Sequence, residues 1–374
     1  MRAAYDDGEA AGASGPRVLL LGPARTAVSG VSTHLNQLFE SDLPSRFRLF
    51  QFQVGSEGRA QSRMRTVLRL ITSPFAFATC LIRTRPRIVH INTSLEPKSY
   101  WRDIVYLALA KGMGCKVIYQ VHGGALPGEF FAGNRVLTAL LRRILSWPDR
   151  VVLLARTEMA AYGGFAPQAR LVRIANAVTA VEAELSTERY AADRPLEVVY
   201  VGRLAADKGV FETIEAVRIL RDRGVLVRLT LAGSGAAAPQ IARAIQTHRL
   251  ADCARLVGAV FGAEKQQLWQ HADVLAFPTY HREGLPYALL EAMASGAVPV
   301  ISPVGAIPDV MQHEVHGLFV PAHDPHAVAD ALRRLARDRT LLHRLAVAAH
   351  ARIREHYSVA RMAHEFDALY ASLA

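Results

Sequence analysis

Two acidic and two basic side chains mark where this chain of 374 residues can do chemistry. Glu283 lies in a loop with Gly284 and Pro286, and Glu291 follows about two turns along the short apolar helix that the loop opens, within TYHREGLPYALLEAMASGAVPVIS (Thr279–Ser302). Leu285, Ala288, Leu289, Ala292 and Met293 recur at helical spacing and face a core, which leaves Glu291 off the stripe. Pro286 suits the first helical position, where its missing N–H has no partner to lose. Carboxylates accept hydrogen bonds from sugar hydroxyls, and free N–H groups at a helix start collect phosphate. The element therefore suits a ligand that carries both.

Upstream stands Val201-Gly202-Arg203-Leu204-Ala205-Ala206-Asp207-Lys208-Gly209. Arg203 leaves the end of a strand and Lys208 opens the next helix, so a guanidinium and an ammonium meet helix N–H groups at one junction, a site for a diphosphate. Leu231-Ala232-Gly233-Ser234-Gly235 ends another strand, and its glycines let backbone approach a ligand. In the first half, Val121-His122-Gly123-Gly124 follows the strand KVIYQ. His122 there can hydrogen-bond a sugar hydroxyl, or serve as a satisfied structural histidine. Ser29-Gly30-Val31 opens the first helix after the first strand.

These residues need strands that end on one edge. Arg17–Pro23 reads as a strand, followed by Phe47–Val54, Ile88–Ser94, Lys116–His122, Arg150–Leu154 and Leu171–Ile174, with helices at Met64–Arg83, Ser99–Lys111 and Glu129–Ser146 between them. Such alternation makes a parallel sheet covered on both faces. The stretch 179–195 is polar and carries no strand pattern. A second series follows: strands Glu197–Val201, Arg228–Ala232, Arg255–Val257, Val274–Phe277, Val298–Ser302 and Gly317–Val320, with a helical stretch Pro325–Ala374 broken near His356-Tyr357-Ser358. The fold class is α/β, two Rossmann-like doubly wound domains facing across a cleft. Ligands of such sheets bind at the strands' carboxyl ends. The domain reading is a disordered tail 1–16, a Rossmann-like domain 17–180, a linker 181–195, a second Rossmann-like domain 196–357, and a helix 358–374 packing back toward the first domain.

Charge divides unevenly. Residues 1–193 hold 24 Lys+Arg against 15 Asp+Glu, and residues 194–374 hold 20 against 18. A basic first half suggests an anionic partner there. Arg63, Arg65 and Arg69 precede the apolar stretch Phe75–Ile82, and Arg83, Arg85 and Arg87 follow it. That element is either an amphipathic helix resting on anionic lipid or a packed helix with solvated ends. Pro74, which interrupts a helix, and the needs of a βαβ unit favour packing. No apolar run approaches the ~20 residues of a spanning helix, the N-terminus does not read as a secretory signal, and Cys80, Cys115 and Cys253 make no disulfide framework. The expected compartment is the cytoplasm, with peripheral contact at the inner face of the plasma membrane. No metal-ligand spacing occurs, and the basic residues lack the aromatics of a single-strand nucleic-acid platform.

EGLPYALLE with AMASGAVPVIS, together with GRLAADKG, LAGSG and His122-Gly123, resembles the retaining glycosyltransferases of family 4, which have the GT-B fold (glycosyl transferases group 1). The resemblance runs from Arg17 to Ala374, and it implies that 17–180 is the acceptor-binding domain and 196–357 the nucleotide-sugar-binding domain. It implies transfer of a sugar from a nucleoside diphosphate to an acceptor hydroxyl with retained configuration, without a metal or any cofactor beyond the nucleotide sugar. Arg203 and Lys208 then neutralise the departing diphosphate, Glu283 holds the donor sugar's hydroxyls beside the backbone N–H groups of Gly284 and Leu285, and Glu291 holds the ribose. Gly202, Gly233 and Ser234 line the donor pocket, Gly30 lies near phosphate or acceptor, and His122 faces Glu283 across the cleft. Two departures stand out: Ser29 replaces one glycine of the family's usual pair, and Ala177 in Asn176-Ala177-Val178 replaces the usual glycine, so it must avoid the left-handed backbone region. The acceptor reading is a lipid-linked glycan in bacterial surface-polysaccharide assembly. A nucleotide-sugar epimerase of the same fold and a non-catalytic sugar-nucleotide-binding subunit of a polysaccharide complex stay open as alternatives.

Overall fold

The computed structural model describes residues 5–6, 15–27, 29–55, 63–179, 185, 187–190 and 194–374. Most of the expected tail, and residues 181–184, 186 and 191–193 of the expected linker, lie outside them. The chain divides into two compact units, Met1–Ala177 with Val359–Ala374, and Val178–Ser358.

The first unit runs β1 (Tyr5–Asp6), β2 (Arg17–Gly22), α1 (Gly30–Glu40), α2 (Leu43–Arg46), β3 (Arg48–Gln53), α3 (Arg63–Thr84), β4 (Ile88–Leu95), α4 (Pro97–Gly112), β5 (Lys116–Gly124), α5 (Pro127–Phe130), α6 (Arg135–Ser146), β6 (Arg150–Leu153), α7 (Arg156–Phe165) and β7 (Leu171–Arg173). Its sheet has the order β1-β3-β2-β4-β5-β6-β7 and is parallel except for β1, which pairs antiparallel with β3 where the sequence reads as a disordered tail.

Other elements of this unit also differ from the sequence reading. The helix expected over Glu129–Ser146 is two, because Gly133 takes φ +86° and Asn134 caps α6 by accepting from the Leu137 N–H at 3.0 Å. α3 runs unbroken past Pro74, its Phe77, Cys80 and Leu81 sealed in the core. β5 continues beyond His122 through both glycines. At Gly124 (φ +100°) an added Cβ would meet the Leu95 backbone nitrogen at 2.7 Å, so only glycine fits this pairing with β4.

The second unit carries β8 (Leu196–Val201), α8 (Val210–Asp222), β9 (Val227–Ala232), α9 (Ala238–Thr247), β10 (Ala254–Gly258), α10 (Gly262–His271), β11 (Val274–Phe277), α11 (Tyr287–Ala294), β12 (Val298–Ile301), α12 (Ile307–Val310), β13 (Leu318–Phe319), α13 (Pro325–Arg337) and α14 (Arg339–His356). Its six strands are parallel in the order β10-β9-β8-β11-β12-β13, so every strand's carboxyl end lies on one edge. Part of the expected linker belongs to this body: Thr187–Tyr190 forms a short 3-10 helix, and the Tyr190 hydroxyl donates to the Gly296 carbonyl at 3.1 Å. Asp338 splits the C-terminal helical stretch by capping α14, accepting from the Leu341 N–H at 2.8 Å.

The last helix, α15 (Val359–Ala371), buries Met362, Phe366 and Tyr370 among Val18, Leu20, Leu35, Leu38 and Ile118 of the first unit. The opposite face of that sheet is covered by α3, α4 and α6.

Candidate functional site

Four loops leave the carboxyl edge of the second unit's sheet. β8 leads into Gly202 and Arg203, β9 into Gly233 and Ser234, β11 into Thr279–Leu285, and β12 into Ser302–Gly305. They pack backbone against backbone. A Cβ at Gly233 (φ +151°) would lie 1.8 Å from the Gly202 carbonyl oxygen, and one at Gly209 (φ +74°) 2.2 Å from that of Pro278. Side chains are excluded at these points by hard contact, and the strand ends close up into a shared floor.

On that floor the structure joins Lys208 to Glu283. The Lys208 ammonium is 2.6 Å from Glu283 Oε1, and both side chains are only about a tenth exposed. Thr279 Oγ1 lies 3.2 Å from the same Glu283 oxygen and 3.2 Å from the Asp207 carbonyl oxygen, which also accepts the N–H groups of Tyr280 at 3.0 Å and His281 at 2.9 Å. The β11 loop is thereby stitched to the turn that carries Lys208. From the other side the Ala306 N–H donates 3.2 Å to the Glu283 carbonyl, and a Cβ at Gly305 (φ +59°) would stand 1.9 Å from that carbonyl oxygen. Thr279, Asp207 and Gly305 were missed by sequence reasoning. A glycine after a strand is the one signal that could have pointed to Gly305.

Arg203 stands apart from this pair. Its guanidinium is 3.3 Å from Asp207, whose carboxylate also meets His281 Nδ1 at 2.9 Å, and its side chain is 55% exposed. Asp207 holds this half-solvated cation only at the surface, so little is lost when Arg203 turns to an anion. The Tyr200 hydroxyl donates 3.0 Å to the Arg203 carbonyl, and burial next to Glu283 and Asp207 pushes its pKa upward, so it stays protonated.

Glu291 joins neither cation. It lies within α11, pairs with Lys265 of α10 and accepts from Trp269 Nε1 at 3.2 Å. Lys265 and Trp269 were not anticipated. α11 begins at Tyr287 with Pro286 as its N-cap, one position earlier in the scheme than expected, and Leu285, Leu289, Ala292 and Met293 are buried as the stripe requires. Gly284 and Leu285 lie in the loop just before it.

In the first unit, Ser29 caps α1 by accepting from the Ser32 N–H at 3.2 Å, a use for the residue that stands where a second glycine was expected, and Gly30 is the helix's first residue. Ala177 is buried and does not take the left-handed conformation. His122 Nε2 lies 2.8 Å from Asn92 Oδ1, and its ring stands edge-on to that of His34 at 4.9 Å. Beneath it Gln120 Oε1 sits 3.1 Å from His34 Nε2 and 2.8 Å from His90 Nε2, while His90 Nδ1 meets the Tyr370 hydroxyl of α15 at 2.8 Å. Burial lowers His34 to about 4 and His90 to about 3, and it holds His122 well below the usual imidazole range. All three rings are neutral at pH 7.

Both halves of the chain are similar to known proteins. "Glycosyl transferase 4-like domain" matches residues 4–177 and "Glycosyl transferases group 1" matches residues 195–338. The amylovoran biosynthesis glycosyltransferase AmsK of Erwinia amylovora is 34% identical over 46% of this chain and 43% of its own length. A putative colanic acid biosynthesis glycosyltransferase, WcaL of Escherichia coli, is 34% identical over 37% of this chain and 35% of its own. The matched segments thus span less than half of these relatives. Among solved structures, sucrose-phosphate synthase from Thermosynechococcus elongatus superposes with a TM-score of 0.80 at 19% identity, over 96% of this chain and 99% of that one. Anabaena HepE in complex with UDP-glucose does so at 0.74 and 15%, over 95% and 99%. Two doubly wound parallel sheets with these matches make the architecture GT-B, and the chain belongs to the group 1, family 4-like glycosyltransferases.

Proposed function

We propose that the chain transfers a sugar from a nucleoside diphosphate to an acceptor hydroxyl with retained configuration, and that its own cations, with no metal, serve the leaving group. The observation that carries this reading is the buried Lys208–Glu283 pair on a floor that admits only backbone. As the bond from the sugar's anomeric carbon to the diphosphate breaks, its electron pair goes to the diphosphate. Preorganised cations aimed at that growing charge are the largest catalytic contribution to expect. Lys208 and Arg203 take this role, and Glu283 orients sugar hydroxyls. The acceptor oxygen bonds the anomeric carbon, and its proton leaves with the diphosphate. Glu291, Gly202, Gly233, Ser234, Gly284 and Leu285 complete the donor site, while Gly30 and His122 belong to the acceptor-binding unit.

The acceptor in this reading is a lipid-linked glycan of surface-polysaccharide assembly, at the inner face of the plasma membrane. The names of AmsK and WcaL support the pathway. α3 supports the membrane contact. Ile71, Phe75 and Ile82, at intervals of one and two helical turns, are 62%, 72% and 62% exposed, opposite the face that packs into the core. Trp101 and Val105 of the neighbouring α4 are also exposed. α3 carries Arg63, Arg65, Arg69 and Arg83 and no acidic residue, although the side chains of the first three lie outside the described residues. Among the described residues no helix is long and apolar enough to cross a membrane. An anionic lipid surface fits a helix that is apolar on both faces and basic at its ends.

A thermal-shift screen with UDP-, GDP- and ADP-sugars tests the donor, since a ligand of the folded state raises apparent stability. Transfer or slow donor hydrolysis must accompany the shift. A shift without either supports the non-catalytic alternative, and interconversion of the free nucleotide sugar supports the epimerase. Sedimentation with anionic vesicles tests the surface. Phe75→Ser with Ile82→Ser lowers binding, and no binding by the unaltered protein overturns the membrane contact while leaving transfer intact.

A further inference from the structure

Asn92 lies near the carboxyl end of β4, buried, where the mechanism so far gives it no part. Its amide nitrogen donates to the Leu21 carbonyl at 3.1 Å, and its amide oxygen lies 2.8 Å from His122 Nε2. A backbone carbonyl only accepts, so the amide atom facing Leu21 must be the nitrogen. The atom facing His122 is then the oxygen, which also only accepts. Nε2 must therefore carry the proton, and the lone pair of the neutral ring resides on Nδ1. The assignment does not depend on how the amide was placed, because β2 and β4 set it through a main-chain group.

Nδ1 is the ring atom left for a ligand. No hydrogen bond to it is made among the described residues, and the His122 side chain is partly exposed. The ring is fixed on a second side by the edge of His34. His34 is held in turn by Gln120, so the ring has little freedom to turn and exchange its two nitrogens.

We infer that Asn92 is a positioning residue that locks His122 in the Nε2–H tautomer, so that His122 meets a substrate hydroxyl through Nδ1 as a hydrogen-bond acceptor. The inference rests on the sugar-transfer reading, which brings His122 to the substrate. It narrows that reading in one respect: the group opposite His122 is a hydroxyl that donates, and a phosphate or carboxylate oxygen is rejected because two lone pairs would face each other. His122 then acts neither as a general acid nor as a charge partner for the diphosphate. That work falls to Arg203 and Lys208.

The test is a long-range proton–nitrogen correlation spectrum of the nitrogen-15-labelled full chain at pH 7.5, with the His122 signals identified by their loss in His122→Gln. The expected spectrum shows an unprotonated Nδ1 and a protonated Nε2. A protonated Nδ1, or an imidazolium, overturns the lock. Asn92→Ala mixes the tautomers and lowers kcat/KM about five- to tenfold, the weight of one neutral hydrogen bond. Asn92→Asp places a carboxylate against Nε2–H, favours the imidazolium, and moves the acid limb of the kcat/KM profile to higher pH. Unchanged kinetics and pH profile in both variants also overturn the proposal. If neither variant folds, the spectrum of the unaltered protein still decides. That spectrum needs no substrate, so the wrong tautomer alongside active transfer sinks the Asn92 assignment alone. The right tautomer without transfer sinks the sugar-transfer reading and the hydroxyl ligand with it.

Discussion

Lys208 is where residue chemistry and site geometry meet most closely. Its ammonium contacts a carboxylate in near-complete burial, and removing one partner of such a pair leaves the other as an uncompensated charge. Lys208→Ala is therefore expected to lower turnover by roughly 10² or more, the usual weight of a group that meets developing charge. Arg203→Ala should do the same to turnover with a smaller cost in stability, because its partner Asp207 is held at the surface. Initial rates of sugar transfer and thermal melts of the two variants check this. Near-normal rates in either would remove that residue from the leaving-group role. Glu291 shows where residue-level reading stops: its spacing from Glu283 is plain in the chain, but its partners Lys265 and Trp269 come from α10 and carry no local signal.

At the level of elements, glycines decide whether the loops close. Gly305 takes φ +59° with no room for a Cβ beside the Glu283 carbonyl. Gly305→Ala should cost on the order of 1–3 kcal/mol from backbone strain and displace Glu283, so activity falls more than stability. Activity retained at full level with an unshifted melt would show that the loop adapts. α15 offers a second case. Phe366 is buried among Leu20, Leu35 and Leu38, with the rings of His34 and His90 centred 5.6 Å and 5.4 Å from its own. Phe366→Ala is expected to destabilise the first unit by about 3–5 kcal/mol. Tyr370→Phe, which deletes the hydroxyl at His90, should cost about 1 kcal/mol. Chemical denaturation followed by circular dichroism measures both, and equal effects would mean that the helix is held by the hydrogen bond and not by packing.

For the molecule as a whole, the buried histidines make stability depend on pH. Unfolded, His34 and His90 take up protons near pH 6.5; folded, they do so only near 4 and 3. Their folded values are depressed, so the unfolded chain binds protons first, and stability present at pH 7 is lost as the pH falls from about 6.5 toward 4. Each contributes a loss on the order of 2 kcal/mol by pH 5, from ~1.4 kcal/mol per pH unit. Around them stand His122, Tyr370 and Gln120, none of which supplies a negative charge to offset the protons. Melting temperatures at pH 7.5 and 5 test this. His90→Gln should flatten the dependence, and an unaltered slope would place the sensitive group elsewhere.

The amino-acid sequence by itself determined the alternation of strands and helices, the sheet edge that carries Arg203, Lys208 and Glu283, and the resemblance to family 4, because each rests on local spacing: apolar periodicity, glycines at strand ends, and cations at helix starts. Local spacing failed at Gly133, where one residue in the left-handed region splits a helix, and at Pro74, which packing on a core face carries through a helix it would otherwise break. Only the tertiary structure decided that Lys208 reaches Glu283 while Glu291 turns to Lys265, that Gly305 presses on the Glu283 backbone, and that Asn92 dictates which nitrogen of His122 holds the proton. Each of those is a contact between separate strands or helices. Its distance follows from how sheets twist and side chains pack, and no stretch of neighbouring residues encodes it.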